Sequence, residues 1–284
     1  MFLRFFPILL CLSFGACGPA ANSSAAAGDT TAADSTADDA ATAADATADA
    51  TAKPDSTLPV DAAADTAAGT CAATPPPCTD NQILDMQLFK KASTRPIENA
   101  PDGDGFASHV DSTGGGFTPT ESYVYAKFTK TGLVAVAVGD EAALDSMDWD
   151  IALRRYVVRL NSGVSGPSCV TLQSSAAPDF DGLKKAEADG KLQGETYYDA
   201  KCQLKKDAYD LSLGTLLSPF WKYKNCVQMT GKVFVLKLAS GAYVKIVFSS
   251  YYELGPQATC DSTGSVPQGT AGGQLRFRWA YLPQ

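Results

Sequence analysis

The chain has 284 residues and a net charge of −8, with a single histidine and eight cysteines. The length allows one or two domains. A lone histidine excludes a multi-histidine metal centre and leaves any Ser-His-Asp chemistry dependent on His109 alone.

Met1 to Ala16 carries one early cation, Arg4, and then an apolar run from Phe5 to Phe14. That pattern predicts a secretory signal peptide over residues 1–16, too short to span a bilayer as a helix. It ends Phe14-Gly15-Ala16-Cys17, which resembles a lipobox and predicts acylation of Cys17, with the membrane as partner through the lipid. Residues 17–70 are almost wholly Ala, Asp, Thr and Ser. Between Ala21 and Thr70 nine Asp and one Lys leave a net charge of −8, so the acidity of the chain belongs to this stretch and not to residues 71–284. Such a composition cannot bury enough apolar surface to offset its ordering entropy, and it predicts a disordered spacer. As a coil it would reach on the order of 40 Å.

The folded domain is expected over residues 71–284. Cys71 and Cys78 flank Ala-Ala-Thr-Pro-Pro-Pro and are expected to close a small disulfide loop. Asn81 to Lys91 fits a short helix or a strand. Ala92 to Gly116 is polar and glycine-rich and reads as a long loop that contains His109. From Ser122 the hydrophobic period becomes two: Ser122 to Thr129 and Leu133 to Val138 form a hairpin with Gly132 at the turn. Asp148 to Gly166 reads as one strand ending in the turn Asn161-Ser162-Gly163, with Tyr156, Val158 and Leu160 inward and Arg155, Val157 and Arg159 on a half-exposed face. Trp149 and Tyr156 are expected in the core. Cys169 to Gln173 is a further short strand, Asp181 to Lys191 a helix or loop, and Glu195 to Leu204 a strand. Lys232 to Leu238 and Ala242 to Tyr251 make a second hairpin, and Gln274 to Tyr281 alternates strictly. Short alternating strands with glycine turns predict an all-β, antiparallel β-sandwich. After Cys17, an even six cysteines in a chain with a signal peptide predict disulfides.

Enzyme and metal motifs are absent or defective. Gly163-Val164-Ser165-Gly166 lacks the spacing and the following helix of a nucleophile elbow. Asp102-Gly103-Asp104-Gly105 has Phe106 where a calcium loop needs its next ligand. Asp148 and Asp150 could be paired carboxylates, but Arg154 and Arg155 lie close enough in sequence to be their salt-bridge partners. No phosphate-binding loop and no basic aromatic strip suggests a nucleic-acid partner. The chain reads as a non-catalytic binding protein.

Trp149, Asp150, Ala152, Arg155 and Tyr156, followed by Asn161, Gly163, Ser165 and Gly166, resemble the signature strand and turn of the HmuY family, haem-binding lipoproteins of bacterial outer membranes. Lys232 to Tyr252 is similar to that family's last long hairpin. The resemblance implies a small antiparallel sandwich, lipid-anchored at the cell outer membrane, that takes haem or meets a haem-carrying protein. The alternative is a surface module of the same fold with another ligand or protein partner. In that family His or Met ligands come from two loops. Met229 occupies the second position here. The first region, Glu195 to Pro219, offers Tyr197 and Tyr198, so the resemblance implies Met229, Tyr197 and Tyr198 as the candidate haem ligands.

Overall fold

The computed structural model describes residues 76–283 apart from 117, 174–176, 178 and 188–189. The leader over 1–16, Cys17, the spacer over 17–70 and Cys71 lie outside the described residues. In chain order the elements are α1 (Thr79–Asp85), β1 (Ile97–Asp102), β2 (Gly105–Asp111), β3 (Val124–Thr129), β4 (Gly132–Val136), α2 (Asp140–Ala143), β5 (Ile151–Arg154), β6 (Val157–Leu160), β7 (Thr171–Gln173) and β8 (Leu192–Gln193). There follow a 3-10 turn at Ser218–Phe220, β9 (Trp221–Tyr223), β10 (Val227–Met229), β11 (Val233–Lys237), β12 (Tyr243–Ser250), α3 (Leu254–Thr263) and β13 (Gln274–Leu282).

The strands form a seven-stranded sheet in the order β1-β2-β13-β12-β11-β7-β8, a four-stranded sheet in the order β4-β3-β5-β6, and the two-stranded ribbon β10-β9. Every pairing is antiparallel. The large and small sheets face each other across one apolar core. Val124, Phe128, Leu133, Ile151, Leu153, Val158 and Leu160 come from the small sheet. Phe234, Leu236, Ile246, Phe248, Phe277 and Trp279 come from the large one. Alternation explains the two sets, because every second side chain of a strand meets the same face.

The small sheet is buried on its other face too. There α1, α2 and the chain from Tyr197 to Leu213 cover Tyr123, Tyr125, Trp149, Ala152 and Val157. This second layer corrects the expected half-exposed face at Val157 and Arg159, whereas Arg155 is half-buried. Arg159 is fully buried and Arg154 is buried. Both guanidiniums lie over the Tyr123 ring, 4.0 Å and 4.2 Å from its centroid. Arg154 pairs with the buried Asp140 at 3.5 Å, not with Asp148 or Asp150. Arg159 donates to the Tyr125 hydroxyl at 2.8 Å, and that hydroxyl donates to Asp140 at 3.0 Å. The aromatic faces and phenolic oxygens supply the negative potential that a buried cation needs.

Asp148 to Gly166 is a hairpin, not one strand. β5 and β6 pair from Ile151↔Leu160 to Arg154↔Val157, leaving Arg155 and Tyr156 as a two-residue turn. Arg155 takes the left-handed φ of 53° that such a turn demands, although no glycine marks it. The rest of the motif is structural. The Asn161 side chain donates to the carbonyls of Ser146 and Trp149 and accepts from the Ser168 N–H. Trp149 is fully buried, as expected, and its Nε1 donates to Ala143 at 2.9 Å.

Three further segments depart from the sequence reading. Ala92 to Gly116 contains the β1-β2 hairpin, closed at Gly103 by a φ of 59°. Pro101 obscured β1; a proline is tolerated there because β1 is an edge strand. His109 therefore sits on β2, where its ring nitrogens contact Glu98 at 3.1 Å and Gln274 at 2.8 Å. Glu195 to Leu204 has only the isolated bridge Tyr198↔Leu204, because its residues cap the small sheet with side chains instead of joining it. The Cys71–Cys78 loop is not formed. Cys78 bonds Cys202, so it ties α1 to the covering segment on the same face of the small sheet. Cys226 bonds Cys260, joining the β9-β10 ribbon to α3, and Cys169 is also disulfide-bonded.

Candidate functional site

The β5-β6 turn, the β9-β10 ribbon and the chain after β12 converge on one cleft. Its volume is about 590 Å³, and its walls include Arg155, Tyr156, Tyr223, Val227, Tyr251 and Tyr252. Four of the chain's eleven tyrosines therefore border a single space. The rings form a continuous surface. Tyr156 lies 5.8 Å from Tyr251 and 5.0 Å from Trp221, and Tyr251 lies 4.8 Å from Tyr252. Tyr209 extends the surface outward, 5.1 Å from Trp221. Tyr209, Leu211 and Tyr223 are exposed around the opening.

Each wall is held from behind. The α3 residue Gln257 is buried. Its carbonyl accepts from the N–H groups of Tyr251 and Tyr252, and its amide donates to Val227. The Tyr252 hydroxyl accepts from the Val227 N–H at 3.1 Å. Ser112 accepts from the Arg155 N–H through its carbonyl, and its hydroxyl donates to Gly273 at 2.9 Å. The disulfide Cys226–Cys260 ties the ribbon, next to the wall residue Val227, to α3. These bonds fix the backbone and leave the rings to face the cleft.

Two polar atoms here have no partner. The Tyr251 hydroxyl and Trp221 Nε1 are buried and unbonded, although both residues are at most 3% exposed. Buried donors are nearly always satisfied, because an unmade hydrogen bond costs about 1–3 kcal/mol. Burial pushes the Tyr251 phenol well above its ordinary range, with the nearby Arg155 opposing the shift, so the phenol is protonated and a donor. The Arg155 guanidinium lies 5.7 Å from the Tyr156 centroid and 5.9 Å from that of Tyr251. The cleft thus offers aromatic faces, hydrogen-bond donors and a cation.

A second, polar recess of about 300 Å³ shares Arg155, Tyr156 and Leu211 with the cleft. Asp85, Arg154 and Lys206 line it; Arg154 pairs with Asp140, Lys206 pairs with Asp210, and Asp85 accepts from the Tyr198 hydroxyl.

The three ligands implied by the sequence do not meet. Tyr197 is fully buried; its hydroxyl donates to Gln82 and accepts from Arg159. The Tyr198 hydroxyl donates to Asp85 at 3.1 Å. The two rings touch each other beneath the small sheet, whereas Met229 packs at the edge of the core between the sheets. None of the three is among the residues that line the cleft. The sequence reading did not single out Tyr223, Tyr251 or Tyr252, which line the cleft, and gave Arg155 only its place in the signature strand. The available signal was the tyrosine pair at 251–252 after a hairpin that alternates cleanly, where a second consecutive aromatic cannot share the first one's face. Among the described residues no three of His, Cys, Asp or Glu gather as metal ligands, and no helix is long and apolar enough to cross a membrane.

A family model described as HmuY protein matches residues 119–260, half of the chain. That span runs from just before β3 to within α3 and includes the β5-β6 turn, the β9-β10 ribbon and the tyrosine pair. Among solved structures, a Bacteroides vulgatus protein described as an HmuY-like heme binding protein is 17% identical over 69% of this chain and 100% of its own, with a TM-score of 0.40. An apo HmuY analog from Tannerella forsythia is 15% identical over 66% of this chain and 98% of its own, with a TM-score of 0.36. A Bacteroides fragilis protein described as a lipoprotein is 14% identical over 66% of this chain and 96% of its own, with a TM-score of 0.41. No curated protein matches the chain.

Proposed function

The chain belongs to the HmuY family, and from that premise we propose that it is an exported, lipid-anchored protein that captures haem or a related tetrapyrrole in the tyrosine cleft. The observation that carries the reading is the buried, unbonded hydroxyl of Tyr251, a residue on the wall of an aromatic space of about 590 Å³. A pocket that is largely apolar with a few convergent polar groups is the usual form of a small-molecule site.

The ring system of a porphyrin fits this chemistry. Tyr156, Tyr251 and Tyr252 present rings for stacking, and Arg155 presents a cation for a carboxylate. The iron does not fit in the same way. Axial haem ligands are ordinarily His, Met, Cys or Tyr. The described lining residues include no His, Met or Cys, and burial raises the Tyr156, Tyr251 and Tyr252 phenols above their ordinary range, which disfavours the phenolate that would bind iron. The role proposed for the cleft is binding.

The anchor rests on the signal-like leader and on Cys17 at its end, with the spacer over 17–70 holding the domain away from the lipid. Haemin titrated into the full chain, followed by Soret absorbance and by quenching of tryptophan fluorescence, is expected to saturate at one equivalent. Tyr156→Ala is expected to weaken it about tenfold or more. Absence of saturable binding to the wild type would remove the reading.

A further inference from the structure

We infer that the cleft recognises its ligand as a planar aromatic carboxylate through stacking, an ion pair and a phenol donor, and not through coordination of a metal. The inference rests on the assignment of the cleft as the tetrapyrrole site and names the chemistry by which that site selects. Metal-free protoporphyrin then binds as tightly as its iron complex.

Three observations carry this. The first is the composition of the described wall: four tyrosines, two valines, a leucine and an arginine among its fourteen residues, with Thr113, Asn225 and Thr270 as its other polar side chains and no histidine, methionine or cysteine. The second is the Tyr251 hydroxyl. It is buried without a partner, and its backbone N–H and carbonyl are already occupied by Gln257 and by Gly273 and Gln274. The position of the ring is thus set before any ligand arrives, and a phenol held in this way is a hydrogen-bond donor awaiting an acceptor. The third is Arg155. Its left-handed backbone places it at the tip of the β5-β6 turn, beside the Tyr156 and Tyr251 rings and on the wall of the cleft. An arginine beside apolar rings suits a carboxylate joined to an aromatic body. Met229, the only methionine on the nearby ribbon, is not part of the wall.

The test compares protoporphyrin IX, its zinc complex and haemin on the full chain, by fluorescence quenching and absorbance. The expected result is three dissociation constants within about threefold of one another. Tyr251→Phe, which removes only the hydroxyl, is expected to weaken all three by a common factor of about five to ten. Arg155→Gln should do the same, and should raise the salt-independent part of the affinity relative to the total. Haemin binding more than about tenfold tighter than the metal-free ring, with a Soret spectrum of axial ligation, would overturn the inference while leaving haem capture intact. Equal binding of all three that neither variant alters would also overturn it, because the ring would then be held elsewhere. Failure of all three to saturate would instead remove the assignment of the cleft on which the inference stands.

Discussion

The hydroxyl of Tyr251 lies 2.5 Å from where a Cβ on Gly272 would be. Gly272 therefore has no room for a side chain, and the tyrosine ring leans on bare backbone at the inner wall of the cleft. Gly272→Ala must displace that ring. It should lower ligand affinity by about tenfold or more and cost about 1–3 kcal/mol through overpacking. Titration of the ligand beside urea denaturation separates the two effects. An alanine variant with unchanged affinity would place the ligand away from Tyr251.

Among the described residues the buried Arg159 has no direct carboxylate partner; it reaches Asp140 through the Tyr125 hydroxyl. Removing the cation leaves Asp140 with Arg154 alone and empties the space over Tyr123. Arg159→Met is expected to destabilise the domain by about 3–5 kcal/mol, the usual cost of breaking a buried ionic network from one side. The urea midpoint measures it. Arg159→Lys should recover little, because an ammonium cannot contact Tyr125, Tyr197 and Ser165 together as the planar fork does.

Two buried carboxyls predict an unusual pH profile. Burial raises Glu195 to about 7, against the two backbone N–H groups of Leu216 and Leu160 that it accepts. Burial likewise raises Asp150 to about 6, opposed by the Phe128 N–H. A folded pKa above the unfolded one means that the folded state holds the extra proton. The resulting stability is full below the unfolded values of 4.5 and 3.8 and is lost as pH rises to about 7 and about 6. Urea midpoints should therefore fall between pH 5 and pH 7.5, with Glu195 contributing on the order of 3 kcal/mol. Glu195→Gln should flatten the upper part of that fall. A midpoint that rises over the same range would contradict it.

The two described bridges should separate stability from binding. Cys78–Cys202 closes 124 residues and lies under the small sheet. Its removal by a double serine substitution should cost roughly 2–4 kcal/mol and leave ligand affinity unchanged. Cys226–Cys260 joins the ribbon to α3, next in sequence to Val227 of the cleft wall. Its double alanine variant should lose affinity as well as stability, read by the same titration. Equal effects of both variants on affinity would disconnect the ribbon from the site.

Cys17 supplies a prediction about location. Labelled palmitate should enter the wild type and not Cys17→Ser, and the variant should leave the membrane fraction. A variant that still takes up label would end the lipid-anchor proposal.

The sequence alone determined what depends on neighbours along the chain. Alternation along Lys232 to Leu238, Ala242 to Tyr251 and Gln274 to Tyr281 is local, and it specified β11, β12 and β13 and the faces they bury. The signature from Trp149 to Gly166 likewise identified the family before any coordinates, because its Asn and Gly residues serve a turn folded on itself. Tertiary structure decided whatever depends on what covers a face. Arg159 alternates with Val157 as a half-exposed residue does, and only α1, α2 and the segment after Tyr197 bury that face. Arg155 turned a strand into a hairpin without a glycine to announce it. Cys78 found Cys202, not Cys71, because helix α1 and the covering segment lie on the same sheet face. The cleft itself joins residues 155, 223 and 251, brought together by the pairing of distant elements, and no local pattern records that distance.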